Sequence, residues 1–130
     1  MATMRQSVFI ERAADEVWNL LRDPASVTTW FPQMTDVNID GTERRITLAS
    51  GLTLIETIVS NRDDLRRFQY RLTGPLPIES HLGTIDVIAD GDNRCVVVYS
   101  TDVIPHVLAF VLDGAVSDAL DNLKNLMEES

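Results

Sequence analysis

Residues 105–127 read PHVLAFVLDGAVSDALDNLKNLM. Apolar side chains recur in this stretch at helical spacing, and polar side chains occupy most of the positions between them. The apolar positions are Leu108, Val111, Leu112, Ala115, Val116, Ala119, Leu120, Leu123, Leu126 and Met127. Pro105 suits the first turn of a helix, where the missing N–H is not needed. The stretch therefore predicts one long amphipathic helix with a single buried face.

The residues before this helix predict a series of antiparallel strands. Strand-like runs, many of them alternating between apolar and polar residues, cover 34–39, 44–49, 52–60, 67–73, 80–89 and 94–103. The breaks between these runs contain Asp-Gly, Ser-Gly, Gly-Pro and Asn/Asp clusters, which are typical of hairpin turns. Consecutive hairpins form an antiparallel meander, and the long helix can cover one face of it.

The N-terminal part adds one strand and a helical elbow. Residues 6–11 alternate like a strand, and residues 13–21 place Val17, Leu20 and Leu21 at helical spacing. Asp23 and Pro24 end that helix and begin a second short one over 25–29. We therefore predict a single α+β domain over residues 1–130. Because a sheet curved around one helix rarely closes on it completely, we expect an elongated apolar cavity between them.

Composition limits the partners and the chemistry. The chain has 20 acidic and 11 basic side chains and a formal net charge of −9, so we expect neither nucleic acid nor anionic membrane as a partner. A single cysteine, Cys95, and two histidines without ligand spacing predict no metal site, and no cofactor motif is present. The N-terminus lacks a signal-peptide pattern, and no apolar run approaches the roughly 20 residues of a membrane span. We expect a cytoplasmic monomer or homodimer.

Six short stretches carry a family resemblance: IERAADEVW (10–18), LRDP (21–24), WFP (30–32), GTER (41–44), YRL (70–72) and GPLP (74–77). Together they resemble the helix-grip superfamily (SRPBCC), which includes START lipid-transfer domains, birch-pollen-allergen type proteins and small polyketide cyclase/dehydratase proteins. The resemblance covers essentially the whole chain. It implies a curved antiparallel sheet of six or seven strands wrapped around the C-terminal helix, with two short helices after the first strand.

The resemblance leaves three functions open. It implies an internal pocket for a small hydrophobic or polyketide-like molecule, with cyclase or dehydratase activity as the more specific version. The alternative is a non-enzymatic carrier or sensor of lipid-like molecules that acts through a protein partner. A third interpretation is a domain whose cavity is largely filled and which serves as a structural or interaction module. None of the shared stretches is specific for one reaction.

An arginine and a glutamate are the candidate catalytic residues. Some small cyclase/dehydratase members use such a pair facing the cavity from neighbouring strands, and Arg44 and Glu56 match that pattern. Alternation places Glu56 on the same face as Leu54, and Arg44 on the same face as Ile46, whereas Arg45 lies on a more polar face. In the catalytic interpretation Arg44 stabilises oxyanion charge and Glu56 moves a proton. The alternatives are a contact to a polar ligand group and a structural ion pair.

Further side chains are candidates for the cavity wall. In the family an aromatic residue is common where His81 stands, so His81 is either a ligand donor or proton carrier, or a histidine near the cavity mouth. Trp30 is either a wall or lid residue or ordinary core. Phe110 lies one position off the apolar stripe of the long helix, and we expect it to flank the cavity opening. The complete set of predicted ligand-binding residues is Trp30, Tyr70, His81, Tyr99, Phe110 and Leu112.

Overall fold

Residues 1–129, which the computed structural model describes apart from the side chain of Val111, contain seven strands. They are β1 (Ala2–Ile10), β2 (Met34–Asp40), β3 (Glu43–Leu48), β4 (Thr53–Arg62), β5 (Arg67–Gly74), β6 (Ser80–Ala89) and β7 (Cys95–Ile104). All neighbouring strands are antiparallel, and their order across the sheet is β1-β7-β6-β5-β4-β3-β2. Strands β2 to β7 form the predicted meander, and β1 pairs with β7 at its far edge.

Three α-helices accompany the sheet in the described residues: α1 (Ala14–Leu21), α2 (Val27–Trp30) and α3 (Ala109–Glu129). The predicted second helix is a 3-10 turn at Pro24–Ser26 followed by the single turn of α2. The Asp23 carboxylate starts that turn by accepting a hydrogen bond from the Ala25 N–H at 3.0 Å. The long helix begins later than predicted, because residues 106–108 first form a 3-10 turn.

The core lies between the inner face of the sheet and the helices. Helix α3 buries Val116, Ala119, Leu120 and Leu123, four positions of the predicted stripe, and runs against β1 and β7. In β7 alternate residues from Cys95 to Val103 are buried, so the predicted two-residue period of that strand is confirmed. The predicted α+β architecture, with a seven-stranded antiparallel sheet and a long C-terminal helix, is confirmed. No helix within residues 1–129 combines the length and apolarity needed to cross a membrane.

The glycine at position 83 of β6 leaves room for the ring of Tyr70 on β5. Gly83 lies opposite Tyr70, and a Cβ atom placed on Gly83 would lie 2.4 Å from Cζ and 2.8 Å from the hydroxyl oxygen of Tyr70. Real Cβ contacts do not reach such distances. The Tyr70 ring therefore occupies the space that any other residue at position 83 would fill, and the glycine helps to place its hydroxyl in the interior.

We predict that Gly83→Ala displaces the Tyr70 ring and lowers the free energy of unfolding by about 1–3 kcal/mol, the usual effect of overpacking. Gly114→Ala in α3 is the matched control, because open space surrounds that position. Removal of a helix glycine there should raise the free energy of unfolding by about 0.5–1 kcal/mol. Urea denaturation measures both variants. If Gly83→Ala leaves the free energy of unfolding unchanged or raises it, the packing argument for Gly83 is wrong.

Candidate functional site

A buried ion pair joins two neighbouring strands on the inner face of the sheet. Arg44 of β3 and Glu56 of β4 lie directly opposite each other and are 5% and 2% exposed. The Nε–H and Nη2–H groups of Arg44 both donate to Oε1 of Glu56, at 2.9 and 2.7 Å. The neighbouring Arg45 instead pairs with Glu43 on the solvent side. The structure therefore places Arg44 inward and Arg45 outward, as the alternation of β3 predicts.

The rest of the Arg44 guanidinium is also held in place. Its Nη1–H donates to the carbonyl oxygen of Pro24 in the helical elbow at 3.0 Å. The guanidinium carbon lies 5.1 Å from the ring centre of Phe68 and 5.3 Å from that of Tyr70, within cation–π distance. These contacts compensate for the loss of water around a buried cation, and they fix the orientation of the guanidinium.

One carboxylate oxygen of Glu56 remains available. Both hydrogen bonds from Arg44 end on Oε1, and none of the hydrogen bonds among residues 1–129 ends on Oε2. Burial raises the pKa of Glu56, while the charge and hydrogen bonds of Arg44 oppose that shift. A carboxylate with a raised pKa and a free oxygen is suited to taking or giving a proton.

Glu56 forms part of the wall of a buried cavity of about 50 Å³, which we call the inner cavity. Five of its lining residues are polar or carry a polar group: Glu56, Tyr70, His81, Tyr99 and Thr101. The other lining residues are apolar: Phe31, Met34, Leu54, Leu72, Leu112, Ala115 and Val116. A molecule in this space would therefore meet a few polar groups within a largely apolar wall.

Two tyrosines are among the polar residues that line the inner cavity. The hydroxyl groups of Tyr70 and Tyr99 are hydrogen-bonded to each other, and their rings meet edge to face with centroids 6.5 Å apart. Burial raises the pKa of Tyr70 well above its ordinary value, and it raises that of Tyr99 as well. Both hydroxyls therefore stay protonated at neutral pH, and each retains the ability to donate a hydrogen bond.

His81 and Leu72 line both the inner cavity and a surface groove of about 270 Å³ beside residues 71–73 and 78–80. Its Nδ1 accepts a hydrogen bond from the Leu72 N–H at 3.0 Å. Burial and the positive charge of Arg71 lower the pKa of His81 to about 4. The ring is therefore neutral at pH 7 with its proton on Nε2, so it serves as a hydrogen-bond donor rather than as a cation.

A second, smaller cavity of about 10 Å³, which we call the deep cavity, adjoins the inner cavity. Arg44, Ser26 and Trp30 are among its lining residues. It shares Met34, Tyr70 and Tyr99 with the inner cavity. The expectation of one elongated cavity is corrected here, because the bonded tyrosines and the large side chains around them divide this interior space.

The structure brings seven of the eight predicted site residues to these two cavities. Arg44 and Trp30 line the deep cavity, Glu56, His81 and Leu112 line the inner cavity, and both tyrosines line both. Phe110 is the exception, because it is 81% exposed and lines a separate surface groove beside residues 2–4 and 106. Its position off the apolar stripe turns it away from the sheet, so the prediction that it flanks the cavity opening is corrected.

Sequence reasoning missed Thr101 and Ser26 as members of the site. Thr101 lies two residues beyond Tyr99 on β7 and therefore on the same inward face, so alternation is the signal that identifies it. Ser26 lies in the 3-10 turn of the elbow, where no simple periodicity shows which side chains point inward. No sequence signal was available for that residue.

The family follows from the sequence taken as a whole. The model of the family "polyketide cyclase/dehydrase and lipid transport" matches residues 1–128. The chain belongs to this family. No curated protein matches it in sequence. As a member of the cyclase/dehydrase and lipid transport family, it is supported as a ligand-binding protein, which agrees with the resemblance described above.

Solved structures of other members of this fold superpose on nearly the whole chain. XoxI from Bacillus cereus has a TM-score of 0.92 at 25% identity, covering 98% of this chain and 96% of its own. A START superfamily protein from Mycobacterium smegmatis has a TM-score of 0.80 at 13% identity, covering 98% and 97%. The di-domain ARO/CYC BexL of the BE-7585A biosynthetic pathway has a TM-score of 0.81 at 20% identity, covering 96% of this chain and 46% of BexL. These likenesses confirm the predicted helix-grip fold.

We predict that Arg44→Met lowers the free energy of unfolding by about 3–5 kcal/mol, because it leaves Glu56 buried without its partner. The double variant Arg44→Met/Glu56→Leu should recover most of this loss, since it removes both buried charges. Arg45→Met is the control, and it should change stability by no more than about 0.5 kcal/mol because its ion pair is exposed. Urea denaturation at pH 7 measures the four proteins. A double variant no more stable than Arg44→Met would contradict the prediction.

The buried, neutral His81 should make stability depend on pH. The unfolded chain protonates this residue below about pH 6.5, whereas the folded protein does so only below about 4. Its stabilising effect is therefore complete above about pH 6.5 and decreases as the pH falls towards 4, by at most about 1.4 kcal/mol per pH unit. In His81→Gln, the free energy of unfolding measured by urea denaturation should lose this part of its pH dependence between pH 7 and 4. An unchanged slope in the variant means that His81 does not titrate in this way.

Proposed function

We propose that the chain binds a small, mostly apolar carbonyl compound in the inner cavity and catalyses proton transfer on it. The observation that carries this proposal is Glu56, a buried carboxylate in the wall of a largely apolar cavity, whose Oε2 accepts no described hydrogen bond. Membership of the cyclase/dehydrase family supports the substrate class, because cyclisation and dehydration of polyketides begin with proton removal next to a carbonyl.

The arrangement suits a two-step proton transfer. Ionised Glu56 takes a proton from the carbon next to the substrate carbonyl, and the electrons of that C–H bond form an enolate. The hydroxyls of Tyr70 and Tyr99 donate hydrogen bonds to the oxygen that gains charge. The carboxylic acid of Glu56 then returns the proton, either to carbon or to a departing hydroxyl group, which leaves as water. Glu56 ends as the carboxylate in which it began.

Arg44 acts in this proposal mainly as a positioning residue. Its bonds to Oε1 fix the orientation of the carboxylate and leave Oε2 without a described partner, and its charge and hydrogen bonds oppose the rise in the pKa of Glu56 that burial causes. Its three described hydrogen bonds go to Glu56 and Pro24, so direct stabilisation of an oxyanion in the inner cavity falls to the tyrosines. From the sequence, by contrast, we expected Arg44 itself to stabilise the oxyanion charge.

The size of the cavity favours a second candidate function. A pocket for a drug-sized ligand holds about 300–1,000 Å³, so a molecule of that size enters the inner cavity of about 50 Å³ only if the walls move. A change of shape on binding is what a non-catalytic carrier or sensor presents to a partner protein. The same cavity would serve this function, but Glu56 would then only contact the ligand.

Deuterium exchange into acetophenone distinguishes the two functions. In D₂O the protein should accelerate deuteration of the acetophenone methyl group, measured by proton NMR, while chemical-shift titration gives the affinity. Glu56→Gln should slow exchange by about 10²–10⁴-fold and leave the affinity nearly unchanged, because the amide still accepts from Arg44. Glu43→Gln, on the solvent side of the neighbouring strand, is the control and should behave like the wild type.

The remaining outcomes are also decisive. Binding of acetophenone without accelerated exchange would contradict the catalytic proposal and favour the carrier or sensor. Equal loss of exchange and affinity in Glu56→Gln would show that Glu56 is a ligand contact rather than the base. Absence of binding at millimolar acetophenone would contradict both functions for this class of ligand and favour a filled, structural interior.

A further inference from the structure

Two buried polar atoms at the deep cavity have no hydrogen-bond partner among the described residues. They are Oγ of Ser26 and Nε1 of Trp30, in side chains that belong to residues 7% and 3% exposed. Buried polar groups in folded proteins nearly always have a partner, so an unpartnered pair at one cavity marks a place where another atom fits. The other tryptophan differs in this respect, because Nε1 of Trp18 donates to Asp63 at 2.9 Å.

The walls of the deep cavity favour a hydrogen-bond acceptor. The indole of Trp30 can only donate, the hydroxyl of Ser26 can donate, and Arg44 has five N–H groups of which three have described partners. Asp23 also lines the cavity, and Glu56 already neutralises Arg44. A neutral acceptor therefore suits this site better than a carboxylate. The volume of about 10 Å³ corresponds to about one oxygen atom the size of a water molecule.

The deep cavity is placed to receive an oxygen from a molecule in the inner cavity. The two linings have three residues in common: Met34, Tyr70 and Tyr99, and the hydroxyls of the two tyrosines are bonded to each other. If the two hydroxyls part, a carbonyl group can extend between them, and each hydroxyl exchanges its bond to the other tyrosine for a bond to the carbonyl oxygen. The carbon next to that carbonyl then remains on the side of Glu56.

We propose that the deep cavity is a subsite for one neutral carbonyl oxygen of the bound molecule, held by the Trp30 indole N–H and the Ser26 hydroxyl. The proposal rests on the proposed function, since it assigns the position of the carbonyl whose neighbouring carbon faces Glu56. Trp30 and Ser26 then complete, with the tyrosines, the set of hydrogen-bond donors around that carbonyl oxygen.

Two isosteric probes test the subsite. Acetophenone carries a carbonyl oxygen where α-methylstyrene carries a CH₂ group, so the two differ at the atom that the subsite would hold. In ¹H–¹⁵N spectra the Trp30 indole signal, assigned with Trp30→Phe, should move downfield with acetophenone and not with α-methylstyrene. The Trp18 indole, already bonded to Asp63, is the internal control and should stay in place with both probes.

Affinities from the same titrations provide an independent readout. Ser26→Ala and Trp30→Phe should each weaken acetophenone binding about two- to tenfold, the effect of one lost hydrogen bond, and should leave α-methylstyrene binding unchanged. Val27→Ala, which trims an apolar wall of the same cavity, is the matched control and should not discriminate between the probes. If Trp30→Phe fails to fold, triple-resonance spectra of the wild type assign the two indole signals, and the test then rests on these spectra and on Ser26→Ala.

The outcomes separate this proposal from the proposed function. If neither probe binds, the proposed function fails, and the subsite fails with it. If both probes bind equally well and the Trp30 signal responds to neither, the subsite is overturned while interior binding stands. If the Trp30 indole proton shows cross-relaxation with water in both complexes and the affinities are equal, the deep cavity holds a structural water, which also overturns the subsite.

Discussion

The buried pair of Arg44 and Glu56 is the interaction on which the arrangement of the interior depends. Two charges removed from water need close partners that offset the lost hydration, and here these partners come from several elements. The carboxylate lies on β4, the guanidinium on β3, the carbonyl oxygen of Pro24 in the elbow, and the aromatic rings on β5. The pair therefore links the sheet to the elbow, and Oε2 of Glu56 is the oxygen that it leaves without a described partner.

The interior combines strong polar chemistry with little free space. Neutral tyrosine hydroxyls, a neutral histidine and Glu56 line an inner cavity of about 50 Å³, together with apolar residues from the sheet and α3. The hydroxyls of Tyr70 and Tyr99 are bonded to each other, and both tyrosines line the deep cavity as well. In the proposed complex, the carbonyl oxygen accepts from these hydroxyls in place of the bond between them. Binding and reorganisation of this pair are therefore expected to be coupled.

Most of the site residues were predictable, because they lie on strands or on the long helix, where a regular period sets the direction of the side chains. The two-residue period of the strands brings Arg44, Glu56, Tyr70 and Tyr99 to one face, and the helical period brings Leu112 to the same interior. We expected Phe110 at the cavity opening, but it lies one position off the apolar stripe of the helix, and the helical period therefore turns it towards solvent. The register that sets Arg44 directly opposite Glu56 depends on hairpin geometry, which the residue pattern only suggested.

The sequence by itself determined the order of the elements, the α+β class and the inward faces of the strands. These follow from local periodicity and turn chemistry, which depend on neighbours in the chain. The family also follows from the sequence, through the match of residues 1–128 to the family model. Only the tertiary structure decided that the expected cavity is divided in two, that Glu56 has one free oxygen, and that Ser26 and Trp30 present unpartnered atoms to the deep cavity. Those features depend on how side chains distant in sequence fill one shared volume, and packing of that kind has no local signature.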